Sequence, residues 1–375
     1  MEFSLLPGLV ILEKIGIEPN FFSQNIPIEK LDHYIAIINW LTDYHTDSNS
    51  THRQKLEGYL QALHHLCDAQ DWKKASDILS MPLSLSSQQP FHQQLGIWGY
   101  YIELIDLYKK LLDKIDLENR LSYLCGLGNV YYNMSHYPEC LEFYNEGLEI
   151  AKRIDHKSMK AQILNNLGSV NLMCGNYPKA IKFYKRSLRI SQKISERHLE
   201  YTAHLRLGLA YIYQRQYYDA LECYQKELVK IRKDGDAEQE SIALVNLGLT
   251  YICLEDYSQA IFYNQQALEV AQKIGHRTQE AWANCNLGKT LLRTAQYQKS
   301  EEYLKLALKT FQEMDCRRAQ SEVLETLSEL YEKMNLPILS SQCYGQALAI
   351  CEELGISIIN PTSRKLNCKI ETTLK

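Results

Sequence analysis

The sequence predicts an all-helical solenoid of antiparallel hairpins, and three observations predict it. Leu-Gly recurs at 127/128, 167/168, 207/208, 247/248 and 287/288, with Leu-Ser at 327/328, a period of 40 residues. Nine positions after each of those glycines stands a tyrosine (Tyr137, Tyr177, Tyr217, Tyr257, Tyr297), replaced by Pro337 in the sixth unit. Three positions further comes a small residue, Cys140, Ala180, Ala220, Ala260, Ser300 or Ser340. Between these landmarks the apolar residues fall at helical spacing in two stretches of roughly 15 residues, split by polar turns such as Cys-Gly-Asn and Leu-Glu-Asp.

Each unit therefore reads as a helix-turn-helix hairpin. Two helices approach closely only where one side chain is nearly absent from each, which the glycine and the small residue supply. A glycine inside a helix costs about 1 kcal/mol against alanine, so five at one register point to a packing requirement. Leu148, Leu188, Leu228, Leu268, Leu308 and Leu348 hold one place in every second helix. Lys152, Arg153, Lys193, Arg232, Lys233 and Lys273 lie near the second helices' ends, where cations suit the negative end of the macrodipole. Asp236 followed by Gln239 reads as a capping box opening the next helix.

Upstream, residues 1–53 read as a helical cap and linker. The run MEFSLLPGLVIL lacks the basic leader and small-residue cleavage site of a signal peptide and is too short to span a bilayer. Pro27 starts a helix with the apolar face Ile28, Leu31, Ile35, Ile38 and Leu41, and the polar linker HTDSNST follows. Residues 54–116 read as degenerate hairpins, the first with Trp72 in the tyrosine place and Ala75 as the small residue. Six repeats occupy 117–355, and the pattern fades into a tail at 356–375.

Composition excludes several function classes. Across 375 residues, 41 Lys plus Arg against 45 Asp plus Glu leave a net charge of −4, so no global positive field recruits nucleic acid or anionic lipid. The 11 cysteines scatter from Cys67 to Cys368 without Cys-x-x-Cys spacing, which fits reduced thiols in a cytoplasmic protein. The sequons at Asn49 and Asn133 carry no meaning there.

Leu124, Leu127, Gly128, Tyr131, Cys140 and Tyr144 in the first unit, and Leu164, Leu167, Gly168, Ala180 and Tyr184 in the second, resemble the tetratricopeptide motif. The 40-residue length resembles the longer-helix variety of kinesin light chains and of bacterial signalling proteins. The stretch from Trp40 to Leu112, with its phrase LGIWGYY, is similar to the segment joining repeat arrays to the nucleotide-binding module in cyanobacterial-type signalling ATPases. The resemblance implies a right-handed superhelix with the first helix of each unit on the concave surface. It says little about function, because the family shares an architecture rather than a partner.

No constellation of residues suggests an enzyme. Ala283 to Thr290, ANCNLGKT, matches a phosphate-binding loop except for its first glycine. Gly288 is the glycine of the fifth repeat, however, so Lys289 and Thr290 are expected inside a helix whose amides are already bonded. His64, Cys67 and Asp68 could share a helix face, but a core cysteine and a partly buried histidine explain them better than a metal. Neither a cofactor nor a metal is expected.

The expected site is the concave groove. Asn166, Asn246 and Asn286 share one register, with Arg206 in the third unit. A row of asparagines can hydrogen-bond the backbone of an extended ligand, as in the asparagine ladder of kinesin light chains; alternatively these residues bridge neighbouring helices. Asn129, Asn165, Leu209, Tyr213, Leu249, Lys289 and Arg293 complete the candidate set. The floor of Leu205, Leu209, Ile212, Tyr213, Val245, Leu249 and Ile252 is apolar for exposed surface, and a tight superhelix or the tail would bury it. The sixth unit adds a stripe of Glu322, Glu325, Glu329 and Glu332. These residues predict an adaptor or sensor that takes a protein or peptide with apolar anchors and mixed charge. Two other readings stand beside it: a peptide-gated bacterial regulator of a response regulator, acting in some cases as a phosphatase, and a scaffold in which two copies pair through the apolar N-terminus.

Overall fold

The computed structural model describes residues 5–19, 26–46, 50, 52–82, 89–97, 100–134, 136–314 and 316–354; the tail expected at 356–375 lies outside them. The chain divides into two compact units, residues 1–150 and 151–375. Among the described residues the regular structure is helical.

The first unit holds α1 (Gly8–Lys14), a 3-10 turn (Ile28–Lys30), α2 (Leu31–Thr42), α3 (His52–Asp68), α4 (Trp72–Ser80), α5 (Phe91–Ile97), α6 (Tyr101–Leu111), α7 (Leu117–Asn133) and most of α8 (Tyr137–Arg153). The helix expected from Pro27 begins with that 3-10 turn. The apolar N-terminal run forms α1, whose Ile11 and Leu12 join Ile37, Leu41, Leu56 and Leu63 in one core. α3 and α4 make the degenerate hairpin, with Ala75 fully buried and Asp71 capping α4. A polar cluster also sits inside this core: the His92 Nδ1 lies 2.7 Å from the Tyr108 hydroxyl, and the Ser76 hydroxyl lies 2.9 Å from that of Tyr123.

The second unit runs through five hairpins: α9 (Lys157–Met173) with α10 (Tyr177–Ile194), α11 (Arg197–Tyr213) with α12 (Tyr217–Asp234), α13 (Ala237–Cys253) with α14 (Tyr257–Ile274), α15 (Arg277–Arg293) with α16 (Tyr297–Glu313), and α17 (Arg317–Lys333) with α18 (Pro337–Glu353). The repeat glycines sit where the partner helix presses in. A Cβ built on Gly168 would lie 2.4 Å from the Tyr184 ring, and one on Gly208 would lie 2.6 Å from that of Tyr224. In the next two repeats Asn264 and Leu304 take the tyrosine's place against Gly248 and Gly288.

Turns within the hairpins carry one left-handed residue: Gly175, Arg215, Glu255, Ala295 and Asn335. Gly175 N–H donates to the Leu172 carbonyl and Asn176 N–H to that of Asn171, closing the helix end in a Schellman pattern. Asp236 Oδ1 accepts from the Gln239 N–H at 3.0 Å, the first half of the expected capping box, while the Asp236 N–H donates back to the Ile231 carbonyl. The ten described cysteines are free. No helix among the described residues is long and apolar enough to cross a membrane.

Candidate functional site

Within the second unit the first helices of successive hairpins, α9, α11, α13, α15 and α17, are neighbours. The side chains three positions before the repeat glycine fill the seams between them. Leu205 and Val245 are buried there beside Ile212, in the same core as half-buried Leu209 and Leu249. Ile252 is buried as well. Most of the apolar floor is therefore the packing of one repeat on the next, the tight-winding alternative raised above.

At one end the seam turns polar. Asn165, at the register of Leu205 and Val245, is 1% exposed, and neither its amide nitrogen nor its oxygen has a hydrogen-bond partner. A buried amide in that state forgoes two hydrogen bonds, about 1–3 kcal/mol for each group left without a partner. Next to it, Arg206 on α11 donates to the Ser169 hydroxyl of α9 at 2.6 Å, while its Nε stays buried and unpaired. The Tyr184 hydroxyl also donates to Ser169, at 3.3 Å. Half-buried Tyr213 stacks on Tyr177 with ring centroids 5.8 Å apart.

At the other end lie charges. Lys289 on α15, 4% exposed, pairs with Glu322 on α17 at 2.5 Å. Burial opposes its charge, but Cys285 and Glu322 outweigh that and hold the ammonium above its ordinary pKa. One turn along, Arg293 grips Glu329 with both guanidinium nitrogens, one contact measuring 3.1 Å. At Glu325, burial and then the neighbouring Glu322 charge outweigh the charges of Lys289 and Arg318 and push the carboxyl up to about 7. The charge of Arg318 acts on the Tyr213 hydroxyl and on the Cys174 thiol, and burial pushes Tyr213 up to about 12. Groups on α11 and just after α9 thus lie within electrostatic reach of α17.

The asparagine register does not present one uniform row. Asn166 and Asn246 are half-buried, whereas Asn286 is 2% exposed and donates to the Val245 carbonyl and to Asn264 Oδ1, each at 3.2 Å. The physical reason lies in the second helix: Asn264 stands where the three preceding repeats have tyrosine, so a carbonyl acceptor waits inside the hairpin. Asn286 bridges helices, and Lys289 and Arg293 are committed to glutamates of the next repeat. Asn129, in the first unit, is exposed and accepts a 2.6 Å hydrogen bond from the Tyr144 hydroxyl. Trp282, on the same helix as Asn286, packs edge-on against Phe311.

Arg318 and Tyr177 were not among the residues expected from sequence. Arg318, Glu322, Glu325 and Glu329 are spaced 4, 3 and 4 residues apart on α17, so a helical-face count begun one turn earlier would have included the arginine. The phosphate-loop lookalike lies wholly within α15, as the repeat register requires.

The family model described as tetratricopeptide repeat matches residues 117–193 and 199–273, and a second model with the same description matches residues 283–312. No curated protein matches the sequence. Among solved structures, aspartyl phosphate phosphatase F from Bacillus subtilis is 14% identical, with 96% of this chain and 99% of that one covered at a TM-score of 0.59. The structure of NprR in complex with its cognate peptide NprX is 14% identical, covering 94% of this chain and 89% of that one at 0.56. The apo form of RapI is 16% identical, covering 70% and 96% at 0.57. At these identities the likeness establishes the fold.

Proposed function

This chain is a tetratricopeptide-repeat protein, and from that premise we propose that the inner face of residues 157–333 receives a peptide or extended protein segment, making the chain an adaptor or sensor. The observation that carries this reading is Asn165, 1% exposed in the seam of α9 and α11, whose amide offers a donor and an acceptor that are satisfied only when a ligand parts that seam. An extended peptide backbone presents the complementary pair. Arg206 and Tyr213 on α11, with Tyr177 at the start of α10 stacked on Tyr213, supply a donor and an aromatic wall. Arg318 and the glutamates of α17 supply charges of both signs, so a ligand with apolar anchors and mixed charge fits. NprR, of like fold, is described in complex with a peptide, which supports the choice of ligand class.

Display of a random-sequence peptide library against the full chain tests this, with the enriched peptide then titrated by calorimetry. Asn165→Ala is expected to weaken binding about tenfold, the loss of one or two hydrogen bonds. Enrichment of no peptide, or equal affinity for the variant, would remove the groove as the site.

A second reading has its own support. The likeness to aspartyl phosphate phosphatase F runs through both units rather than the repeats alone. Accelerated phosphate release from a phosphorylated receiver domain, at substoichiometric amounts of the chain, would mark it as a regulator of the phosphatase kind. A stoichiometric effect would leave the adaptor.

A further inference from the structure

Apart from the groove, the first unit brings together a group of side chains that sequence spacing does not reveal. His65 and Asp68, three residues apart on α3, face His33 of α2, 32 positions upstream. The two Nδ1 atoms are 3.2 Å apart, the rings are tilted by 50°, and one ligand atom from each of the three residues lies within 4.8 Å of the others. Cys67, which sequence spacing groups with His64 and Asp68, points into the core instead and is 3% exposed. His64 turns to Asp106, 3.8 Å away.

The geometry points to a binding site for a first-row divalent transition metal, zinc or nickel in kind, formed by His33, His65 and Asp68 and tying α2 to α3. Two imidazole nitrogens bound to zinc at about 2.0–2.1 Å in a tetrahedron stand about 3.3 Å apart, close to the separation already present. Two imidazoles and one carboxylate make a three-ligand set, and half-exposure leaves room for water in the fourth position. Asp68 is exposed and can swing inward by rotamer change. Lys110 on α6 feels the charge of Asp68 but is paired with Asp106 at 3.0 Å. A second group, Glu200, His204 and Glu227, has comparable spacing, but there the Lys230 ammonium already sits 2.8 Å from Glu227 and supplies the cation.

The test uses the full chain, stripped with a chelator and titrated with nickel by calorimetry and with cobalt by absorption spectroscopy. The expected result is one tight equivalent of nickel, weakened about tenfold or more in His33→Asn and in His65→Asn. The cobalt complex is expected to show no thiolate charge-transfer band, which would otherwise mark a cysteine ligand. Asp68→Asn, at an exposed position, tests the same site with no burden on the core and is expected to weaken binding as well. No tight equivalent in the wild type, unchanged affinity in the Asp68 variant, or a thiolate band in the cobalt spectrum would overturn the assignment.

Discussion

The seam between α11 and α13 and the seam between α15 and α17 hold equivalent places in the repeat and have opposite chemistry. In the first, Leu205 and Val245 bury against each other's helices as ordinary core. In the second, buried Lys289 meets Glu322 and half-buried Arg293 meets Glu329. The repeat thus fixes where a side chain goes but not what it contributes. A hydrophobic seam gains from every buried methylene. A buried ion pair roughly breaks even in stability, yet strongly resists the loss of one partner. The difference teaches that the apolar seam is scaffold, while the polar positions around it are free to differ because they are not needed to hold the stack together.

Removing one partner of the ionic seam should have the largest effect. Glu322→Ala leaves the Lys289 ammonium buried alone and is expected to cost about 3 kcal/mol in urea denaturation, while the double change Lys289→Met with Glu322→Leu stays within about 1 kcal/mol of wild type. If the double variant is as unstable as the single, the ion pair is scaffold after all and the contrast fails.

Next comes Leu205→Ala in the apolar seam, expected to lose about 2.5 kcal/mol through cavity formation, with the loss unchanged in high salt. Arg293→Gln should cost only about 1 kcal/mol, and that loss should shrink as salt screens the pair. A salt-insensitive Arg293 effect would mean that its stem, not its charge, does the packing.

Glu325 sharpens the comparison through pH. Its carboxyl titrates at about 7 in the folded protein against 4.5 in the unfolded chain, so between those values the folded state holds a proton that the unfolded state has released. Stability from this group is therefore present below pH 4.5 and lost as pH rises towards 7. Glu325→Gln should flatten that part of the pH–stability curve and raise the melting temperature at pH 8. An unchanged curve would show that the carboxyl is better solvated than its surroundings indicate.

The smallest expected effect lies in the turns. Ala295 adopts a left-handed conformation that glycine tolerates better, so Ala295→Gly should stabilise by about 0.5 kcal/mol, most visibly as slower hydrogen exchange at the ends of α15 and α16.

The repeat was fully legible in the sequence, because Gly168 and Gly208 are dictated by rings 16 residues later in the same hairpin and a period of 40 keeps both in view. The fates of the individual asparagines were less legible. Asn286 is drawn inward by Asn264, a departure from tyrosine that matters only once the two helices are packed. Asn165 was visible as a candidate, but its two unpaired atoms could be recognised only with its neighbours in place. The pairing of His33 with His65 depends on how α2 lies on α3, which no spacing along one helix encodes.

The most direct test of the central claim is to titrate one display-selected peptide against Asn165→Ala, Arg318→Ala and, from the apolar seam, Leu249→Ala. The account predicts about tenfold weaker binding for the first two and near wild-type affinity for Leu249→Ala at temperatures where all three are folded. Full affinity in Asn165→Ala and Arg318→Ala, with loss confined to Leu249→Ala, would contradict it and move the ligand to the apolar floor.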